Sequence, residues 1–345
     1  MPRSDFRSDT VTTPTDAMRE AMARAQVGDD VMEEDPTVKR LEAEVASLLG
    51  KPAGLFVPSG TMANQIGVKL HTQPSDEIIA EASSHVLKYE AGGIGLISGV
   101  QCRPIHGTRG VMDPAEVEAA IRGHEIHLPH TSLICLENTN NVAGGAVVPL
   151  GVFDAVREIA DRHAVKVHLD GARLLHAACA EGTPAAEFAA RVDTVWIALS
   201  KGLSAPVGSV LCASVEDIAR ARRIRKILGG GMRQVGVLAA AGLVALETGI
   251  DRLAEDHVRA RRLAEAANAL PGVRVDLETA RTNLVLLEFE TPIADDVVAR
   301  LAEDGVLAGA TADNLLRFCT HREIGDDDVA RAVESLSRIL IRIPS

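Results

Sequence analysis

The sequence predicts an α/β fold in which helices cover both faces of a mostly parallel sheet, with a smaller α/β domain at the C-terminus. Two observations lead to this class: short β-branched runs alternate with helical segments, and several helices begin at a capping residue followed by proline. The length of 345 residues and the 46% hydrophobic content fit about two globular domains. Because only 2% of the residues are aromatic, aliphatic side chains must form most of the core.

The strands of the larger domain are predicted from apolar, β-branched runs. They cover residues 55–57, 77–80, 100–105, 132–136, 165–170, 194–199 and 208–213. Since helical segments separate most of these runs, we expect parallel pairing and burial of the sheet on both faces.

The helix starts are marked by a side chain that can cap the helix, directly before proline. The three pairs are Thr13-Pro14, Asp35-Pro36 and Asp113-Pro114. Proline suits the first helical turn because its missing N–H would have no partner there. The second of these helices carries an apolar stripe and is predicted to end at Gly50.

A change of character near residue 249 predicts the domain boundary. We assign residues 1–249 to the large domain, with the N-terminal segment contributing to the active site, and residues 250–345 to the small domain. A charged helix over 251–270 opens the small domain. Strands are predicted over 273–277, 283–289 and 315–320, and helices over 294–303 and 326–340.

Charge and cysteine content limit the classes of function. A net charge of −12 and a pI near 5.4 argue against a general nucleic-acid or anionic-membrane binder. The five cysteines are odd in number and far apart, which favours a reducing, cytoplasmic setting over a disulfide framework. The longest apolar run, 235–246, is shorter than the roughly 20 residues that span a bilayer.

A small-residue turn after the first predicted strand is a candidate anion site. Ser59, Gly60 and Thr61 lie between that strand and a helix, where free N–H groups and the helix dipole favour a phosphate. The alternative is an ordinary strand-to-helix turn that Ser59 caps.

Two further strand ends carry charged residues. Asp170 ends a strand where ligands of open α/β sheets collect, and Arg173 follows at the turn. Asp170 could hold a proton on a ring nitrogen, or it could simply cap the next helix. Lys201 follows another apolar strand in a chain with only seven lysines. Unlike arginine, a desolvated lysine can attack a carbonyl group, although most lysines lie on solvated loops.

The order of these features, a phosphate cup, then aspartate, then lysine, is that of fold-type I pyridoxal 5'-phosphate enzymes. Over nearly its whole length the chain resembles the low-specificity L-threonine aldolases. The matching motifs are RSDTVT (7–12), GDDV (28–31) with EDPT (34–37), PSGTM (58–62), HLDGAR (168–173), SKGL (200–203) and GGGMRQ (229–234). By itself, the triple glycine before Arg233 could cradle a phosphate or form a flexible joint.

The resemblance implies a pyridoxal-phosphate site. Lys201 would bind the cofactor as a Schiff base, Asp170 would pair with its ring nitrogen, and His85 would stack on the ring. The phosphate would be held by Ser59, Gly60 and Thr61, together with Arg233 from a neighbouring subunit. Arg173 would lie near the cofactor's phenolic oxygen.

The resemblance also implies a substrate site. Ser8, Arg173 and Arg317 would bind the substrate carboxylate, and Tyr89 and Lys226 would lie nearby. His127 would be a second active-site histidine, and either His85 or His127 could take the hydroxyl proton. No metal site is expected, because Pro129 breaks any helical face formed by His124, His127 and His130.

The implied activity is reversible aldol cleavage of L-threonine, L-allo-threonine and related β-hydroxy-α-amino acids to glycine and an aldehyde. The implied assembly is at least a catalytic dimer and, as commonly in the family, a homotetramer. Two departures leave side-chain preference open: Asn140 replaces a usual histidine, and Met32-Glu33 replaces a frequent Tyr-Gly.

Three other functions remain as alternatives. One is a β-eliminating lyase on the same fold. Another is a nucleotide-dependent oxidoreductase, for which the chain offers only the incomplete glycine motif at 93–98. The third is a catalytically silent ligand-binding protein, which the retained lysine, aspartate and arginines disfavour.

Overall fold

The computed structural model describes residues 3–123 and 125–342, so His124 lies outside the described residues. The strands are β1 (Ser4–Asp5), β2 (Ala53–Val57), β3 (Glu77–Glu81), β4 (Gln101–Ile105), β5 (Thr131–Glu137), β6 (Lys166–Gly171), β7 (Thr194–Ala198), β8 (Ser209–Ala213), β9 (Val273–Arg274), β10 (Leu284–Phe289), β11 (Val306–Leu307), β12 (Gly309–Ala312) and β13 (Leu315–Cys319). The helices are α1 (Asp16–Ala23), α2 (Pro36–Leu48), α3 (Gly60–His71), α4 (His85–Lys88), α5 (Pro114–Ala120), α6 (Leu150–His163), α7 (Leu174–Glu181), α8 (Ala185–Ala189), α9 (Val215–Ile227), α10 (Gly236–Gly249), α11 (Leu253–Asn268), α12 (Ala294–Glu303) and α13 (Asp326–Arg342).

The central sheet has seven strands in the order β2-β8-β7-β6-β5-β3-β4. The pairs from β7 through β4 are parallel, whereas β8 is antiparallel to both of its neighbours. The predicted mostly parallel sheet is therefore confirmed. Because β2, β5, β6 and β7 run in the same direction, the residues that follow them meet at one edge of the sheet.

The predicted helix starts are confirmed for α2 and α5, whereas α1 begins two residues later than Thr13-Pro14 suggests. In α2, Asp35 Oδ1 accepts hydrogen bonds from the backbone N–H groups of Thr37 and Val38, both at 3.0 Å. In α1 the capping residue is Thr15, whose hydroxyl oxygen accepts from Met18 N at 3.2 Å. Pro14 therefore lies outside the helix, because a later side chain is available to cap the free N–H groups.

The longest apolar run forms the buried helix α10. Gly236, Ala239 and Ala240 are buried in it, and the helix packs against α1 and α2. Among the described residues, no helix combines the length and the apolarity that crossing a membrane requires. The cytoplasmic location stays a prediction.

The C-terminal part contains a four-stranded antiparallel sheet, in the order β12-β13-β10-β9, and a core of its own. Leu287, Phe318 and Leu336 are fully buried in that core. The predicted strand 273–277 is wrong beyond Arg274. Val275 N donates to Asn268 Oδ1 at 2.9 Å and Asp276 Oδ1 accepts from Glu278 N at 3.0 Å, so local side-chain bonds turn the chain away from the sheet.

The N-terminal segment packs against the C-terminal part. Strand β1 pairs in parallel with β11, and the fully buried Phe6 packs edge-on against Phe318 with ring centroids 5.4 Å apart. The division into residues 1–249 and 250–345 stays a prediction. The pairing of β1 has a consequence for the site, because it carries Asp9 and Ser8 towards the carboxyl edge of the central sheet.

Candidate active site

A cavity of about 120 Å³ opens at the carboxyl edge of the central sheet. The residues after β2, β5, β6 and β7 line it, as the parallel topology requires. Six residues singled out in the sequence line this one cavity: Gly60, Thr61, His85, Asp170, Arg173 and Lys201. Residues more than a hundred positions apart in the chain are thus brought together.

Lys201 presents an amine to the cavity three residues after β7 ends. Within residues 3–123 and 125–342 the amine makes no hydrogen bond or ion pair, so it is available for covalent chemistry. Burial lowers the pKa of Lys201 first of all, and the positive charge of Arg173 lowers it further. Both effects favour the neutral, nucleophilic amine.

Asp170 is buried and held from two sides. Its Oδ2 accepts from Asn64 Nδ2 at 2.7 Å, and its Oδ1 accepts from Ala172 N at 3.0 Å. Asn64 is itself fixed, because its Oδ1 accepts from Trp196 Nε1 at 2.6 Å and lies 3.1 Å from His168 Nε2. A negative charge therefore has a defined position next to Lys201.

His85, the first residue of α4, is bound by a buried carboxylate. Its Nδ1 lies 2.8 Å from Glu90 Oε1, and Glu90 Oε2 accepts from Gln65 Nε2 at 2.6 Å. Burial opposes charging of the ring, but the hydrogen bond to Glu90 and the negative charge of Asp170 outweigh it and raise the pKa of His85. The imidazole can therefore hold a proton near neutral pH.

The turn after β2 brings the N-terminus of α3 to the cavity. The hydroxyl oxygen of Ser59 caps this helix by accepting from Met62 N at 3.2 Å. A side chain on Gly60 would overlap the Trp196 ring, so only glycine lets the backbone come this close. The first N–H groups of a helix lack intrahelical partners, and those of Gly60 and Thr61 can bind an anion.

Arg173 is engaged mainly by Asp9 from the N-terminal segment. Its Nε and Nη2 donate to the two oxygens of Asp9, both at 2.7 Å, and both residues are buried. Burial opposes both charges, yet the pairing holds the pKa of Asp9 well below its usual range and that of Arg173 well above. Only Nη1 remains, and it points to Asn141 Oδ1 at 3.3 Å.

Arg317 on β13 approaches the same Asn141 from the C-terminal sheet. Its Nη1 donates to Asn141 Oδ1 at 3.1 Å, its Nη2 donates to the carbonyl of Arg7 at 3.2 Å, and its buried Nε has no partner among the described residues. Two guanidinium groups therefore converge on one amide oxygen beside the cavity. Such an arrangement can bind a carboxylate.

Asn140, where the resembled family usually has histidine, has a different place. Its backbone N donates to Ala146 O and its Oδ1 accepts from Ala143 N, both at 2.9 Å. The side chain thus stabilises the turn that follows β5. It is Asn141, and not Asn140, that lines the cavity.

The residues fit pyridoxal phosphate, the cofactor that the resemblance implies. Lys201 offers a buried amine, Asp170 offers a fixed carboxylate for a ring nitrogen, and the N-terminus of α3 offers N–H groups for a phosphate. Two hydroxyl groups that line the cavity, Thr139 Oγ1 and Ser209 Oγ, are buried without a partner among the described residues. Unpartnered polar atoms of this kind indicate a polar ligand.

Several predicted site residues lie outside the cavity lining of the single chain. His127 is exposed on the loop before β5, and the strand between it and the cavity spans roughly 20 Å. Arg233 is 57% exposed and pairs with Asp29 at 2.8 Å, and Lys226 is exposed at the end of α9. Ser8 caps the turn that holds Asp9. Tyr89, 55% exposed, lies beside His85 with ring centroids 5.6 Å apart. Their functional roles stay predictions.

The structure adds five residues that the sequence analysis missed: Asp9, Asn64, Glu90, Glu137 and Asn141. Asp9 and Asn64 lie within or next to the quoted motifs, and Glu90 follows His85 by five positions. The sequence feature that could have identified some of them is an acidic or amide residue at the end of an apolar strand, as with Glu137. Which of these polar residues face the cavity depends on their partners, which are distant in sequence.

Comparisons with known proteins extend this description. A model of the β-eliminating lyase family matches residues 5–290. The low-specificity L-threonine aldolase 1 of Arabidopsis thaliana is 45% identical over 332 residues, which cover 94% of this chain and 93% of that protein. The low specificity L-threonine aldolase of Escherichia coli K12 is 37% identical over 339 residues, covering 98% and 99%. A solved Leishmania major threonine aldolase has a TM-score of 0.85 at 22% identity, covers 98% and 99% of the two chains, and shows a likeness of fold.

Proposed function

This chain belongs to the low-specificity L-threonine aldolase family, a group of fold-type I lyases, and we propose that it splits L-threonine and related β-hydroxy-α-amino acids reversibly into glycine and an aldehyde. The observation that carries the proposal is the grouping in one cavity of the free Lys201 amine and the fixed Asp170 carboxylate, with Arg317 beside it. L-allo-threonine is included because the similar proteins of Arabidopsis thaliana and Escherichia coli are named low-specificity enzymes.

Pyridoxal phosphate would be held by Lys201, Asp170 and the N-terminus of α3, with His85 beside its ring. When bound, it withdraws electrons from Cα of the substrate and so weakens the bonds there. Asp170 would keep a proton on the ring nitrogen, and Asn64, which donates to Asp170 Oδ2, holds this carboxylate in place. Burial of Lys201 favours its neutral amine, which is the form that would bind the cofactor covalently.

The substrate carboxylate would bind at the side of the cavity where Asn141 lies. Within the described part of the chain, Arg317 Nε has no partner, and the acceptors of its two other donors, Asn141 Oδ1 and a backbone carbonyl, are neutral. A carboxylate would replace these weaker acceptors with charge-assisted bonds. Binding of the carboxylate fixes the rotation of the substrate about its N–Cα bond, and this rotation decides which bond at Cα is broken.

The β-hydroxyl proton would be taken by His85, directly or through water. His85 lines the cavity, its Nδ1 lies 2.8 Å from Glu90 Oε1, and its Nε2, which makes no hydrogen bond within residues 3–123 and 125–342, would accept the proton. An imidazole is matched to proton transfer near neutral pH. His127 could serve only if another subunit or a loop movement brought it to the cavity.

The test of the proposed activity is the identity of the products. Purified protein supplied with pyridoxal phosphate and L-threonine should form glycine and acetaldehyde in equal amounts, and glycine with acetaldehyde should give back the β-hydroxy amino acid. Formation of a 2-oxo acid and ammonia would instead assign a β-eliminating lyase. Parallel assays with L-allo-threonine show whether the enzyme accepts both configurations at Cβ of the substrate.

An Arg317→Lys variant is expected to bind threonine more weakly. Lysine keeps the positive charge but loses the fork of donors, so KM should rise roughly 10- to 100-fold while kcat falls less. Steady-state kinetics measure both constants. A matched control is Arg274→Lys on the same C-terminal sheet, because Arg274 is 79% exposed and pairs with Glu288 on the neighbouring strand. An unchanged KM for Arg317→Lys would remove the carboxylate role.

We also propose that the protein is a homotetramer built from catalytic dimers, in which Arg233 serves the neighbouring subunit. Support comes from its 57% exposure and from its position outside the cavity of its own chain. Mixing Arg233→Ala and Lys201→Ala subunits, each inactive alone, should restore roughly a quarter of the wild-type activity. This follows because half of the randomly mixed dimers hold one intact site. If Arg233 acts within its own chain, no activity returns.

A further inference from the structure

Glu137 is a buried carboxylate of the cavity to which no step of the proposed reaction assigns a role. It is the last residue of β5 and pairs in register with Asp170 on β6. Its Oε2 accepts from the backbone N of His85 at 2.7 Å, and its Oε1 accepts from the backbone N of Asn141 at 2.8 Å. The Glu137 side chain therefore connects two sides of the cavity, the start of α4 with His85 and the turn after β5 with Asn141.

Two guanidinium groups converge on the side of the cavity where Asn141 lies. Asn141 Oδ1 accepts from Arg317 Nη1 at 3.1 Å and from Arg173 Nη1 at 3.3 Å. These arginines come from different sheets, one on β13 and the other after β6. The position of the Asn141 backbone, which Glu137 holds, therefore determines where the two arginines meet.

The surroundings make this carboxylate sensitive to pH near neutrality. Burial, followed by the negative charge of Asp170, raises the pKa of Glu137 to about 7, although the two N–H donors and the charge of His85 oppose the shift. The other charged groups that interact with Glu137 are Lys201 and Arg173. Each N–H group of His85 and Asn141 is bound more strongly by the carboxylate than by the neutral acid.

The Glu137 carboxyl group does not increase the free energy of unfolding at neutral pH. Its folded pKa lies above the ordinary value of 4.5, so its contribution to stability is lost as the pH rises from about 4.5 through about 7. An acid that disfavours folding where the enzyme works, and that faces the cavity, indicates a functional role.

From this geometry we propose that Glu137 is a positioning residue: by holding the backbone of Asn141 while ionised, it sets Arg317 and Arg173 to bind the carboxylate of the amino-acid substrate. The inference rests on the proposed function and names the group that controls its substrate-binding step. Protonation of Glu137 weakens its grip on Asn141. Affinity for an amino acid therefore increases as the pH rises through about 7.

The test is the dissociation constant of glycine, measured on the holoenzyme at pH 6 and pH 8.5. Binding is followed by the visible absorbance of the cofactor and independently by the fluorescence of Trp196, the single tryptophan, which lines the cavity. Glu137→Gln resembles the protonated acid at every pH. It should bind glycine like the wild type at pH 6 and roughly tenfold more weakly at pH 8.5.

Two outcomes would overturn the proposal. If Glu137→Gln lost the same factor in glycine affinity at pH 6 and at pH 8.5, Glu137 would have a structural role only. If Glu137→Gln bound glycine as tightly as the wild type at both pH values, Glu137 would have no role in substrate binding. The matched control is Glu42→Gln. Glu42 is another buried carboxyl with a raised pKa, which accepts from Phe56 N at 2.8 Å and from Arg222 Nη2 at 3.1 Å outside the cavity. This variant should reproduce the wild-type dissociation constants.

A second variant keeps the test decisive if Glu137→Gln does not fold. Asn141→Ala should bind glycine more weakly at both pH values. Between pH 6 and pH 8.5 its affinity should rise less than that of the wild type, because only the part of the gain that comes from deprotonation of the glycine amine is kept. A full wild-type gain in Asn141→Ala would disprove transmission through Asn141. Failure of the wild type itself to bind glycine would instead reject the proposed function.

Discussion

Replacing Lys201 by alanine is expected to lower the rate of threonine cleavage roughly a thousandfold or more, because removal of an enzyme's covalent nucleophile has effects of that order. The variant should also retain its cofactor poorly, since the amine that would bind it covalently is lost. The measurements are kcat and the cofactor content after gel filtration. Reduction of the wild type with borohydride, followed by peptide mass spectrometry, should place the label on Lys201.

Lys166→Ala is the matched control for this experiment. Lys166 lies at the start of β6, is 56% exposed and pairs with Asp193 at 2.9 Å. Its removal should leave the cleavage rate and the cofactor content close to those of the wild type. A label on a different lysine, or cleavage by Lys201→Ala at the normal rate, would refute the assignment.

Asp170→Asn is expected to have the second largest effect. The amide keeps the size of the side chain but removes the negative charge that would hold a proton on the ring nitrogen. Loss of one partner from a buried charge pair costs about 3–5 kcal/mol, and a barrier raised by that amount corresponds to a fall in kcat of roughly 150- to 5,000-fold. The absorbance of the bound cofactor should change as well, because its ring would no longer carry the proton.

The control for this variant is Asp193→Asn at the opposite edge of the sheet. Asp193 precedes β7, pairs with Arg157 and Lys166, and lies outside the cavity. We expect it to lower stability without a comparable change in kcat. If Asp170→Asn kept both the wild-type kcat and the wild-type spectrum, Asp170 could not be the partner of the ring nitrogen.

Local patterns were sufficient to predict the strands of the central sheet. The run 165–170 corresponds to Lys166–Gly171 and the run 194–199 to Thr194–Ala198, each within one residue. Strand β7 is buried at every position and almost wholly apolar, whereas β6 is recognised by the alternation of Val167 and Leu169 with polar residues. The short strands β1, β11 and β12 carry no such signal, because they are paired by partners elsewhere in the chain.

Helix boundaries were predictable where the capping group is local. Asp35 bonds N–H groups two and three positions ahead, so its role can be recognised in the sequence itself. Thr13-Pro14 misled by two residues because Thr15 supplies an equally good cap. Strand β9 ends after Arg274 because the side chain of Asn268, at the end of the preceding helix, accepts a hydrogen bond from Val275 N.

For this protein the sequence alone determined the fold class, the order of the motifs and the identity of the residues at the strand ends, since these depend on neighbours within a few positions. Only the tertiary structure decided which of those residues meet. Asp9 pairs with Arg173 across 164 positions, and Arg317 reaches Asn141 across 176. The same packing places His127 away from the cavity and brings Glu137 into it. The physical reason is that hydrogen bonds and charge effects fall off within a few ångströms, and proximity at that scale is set by how the strands and helices pack.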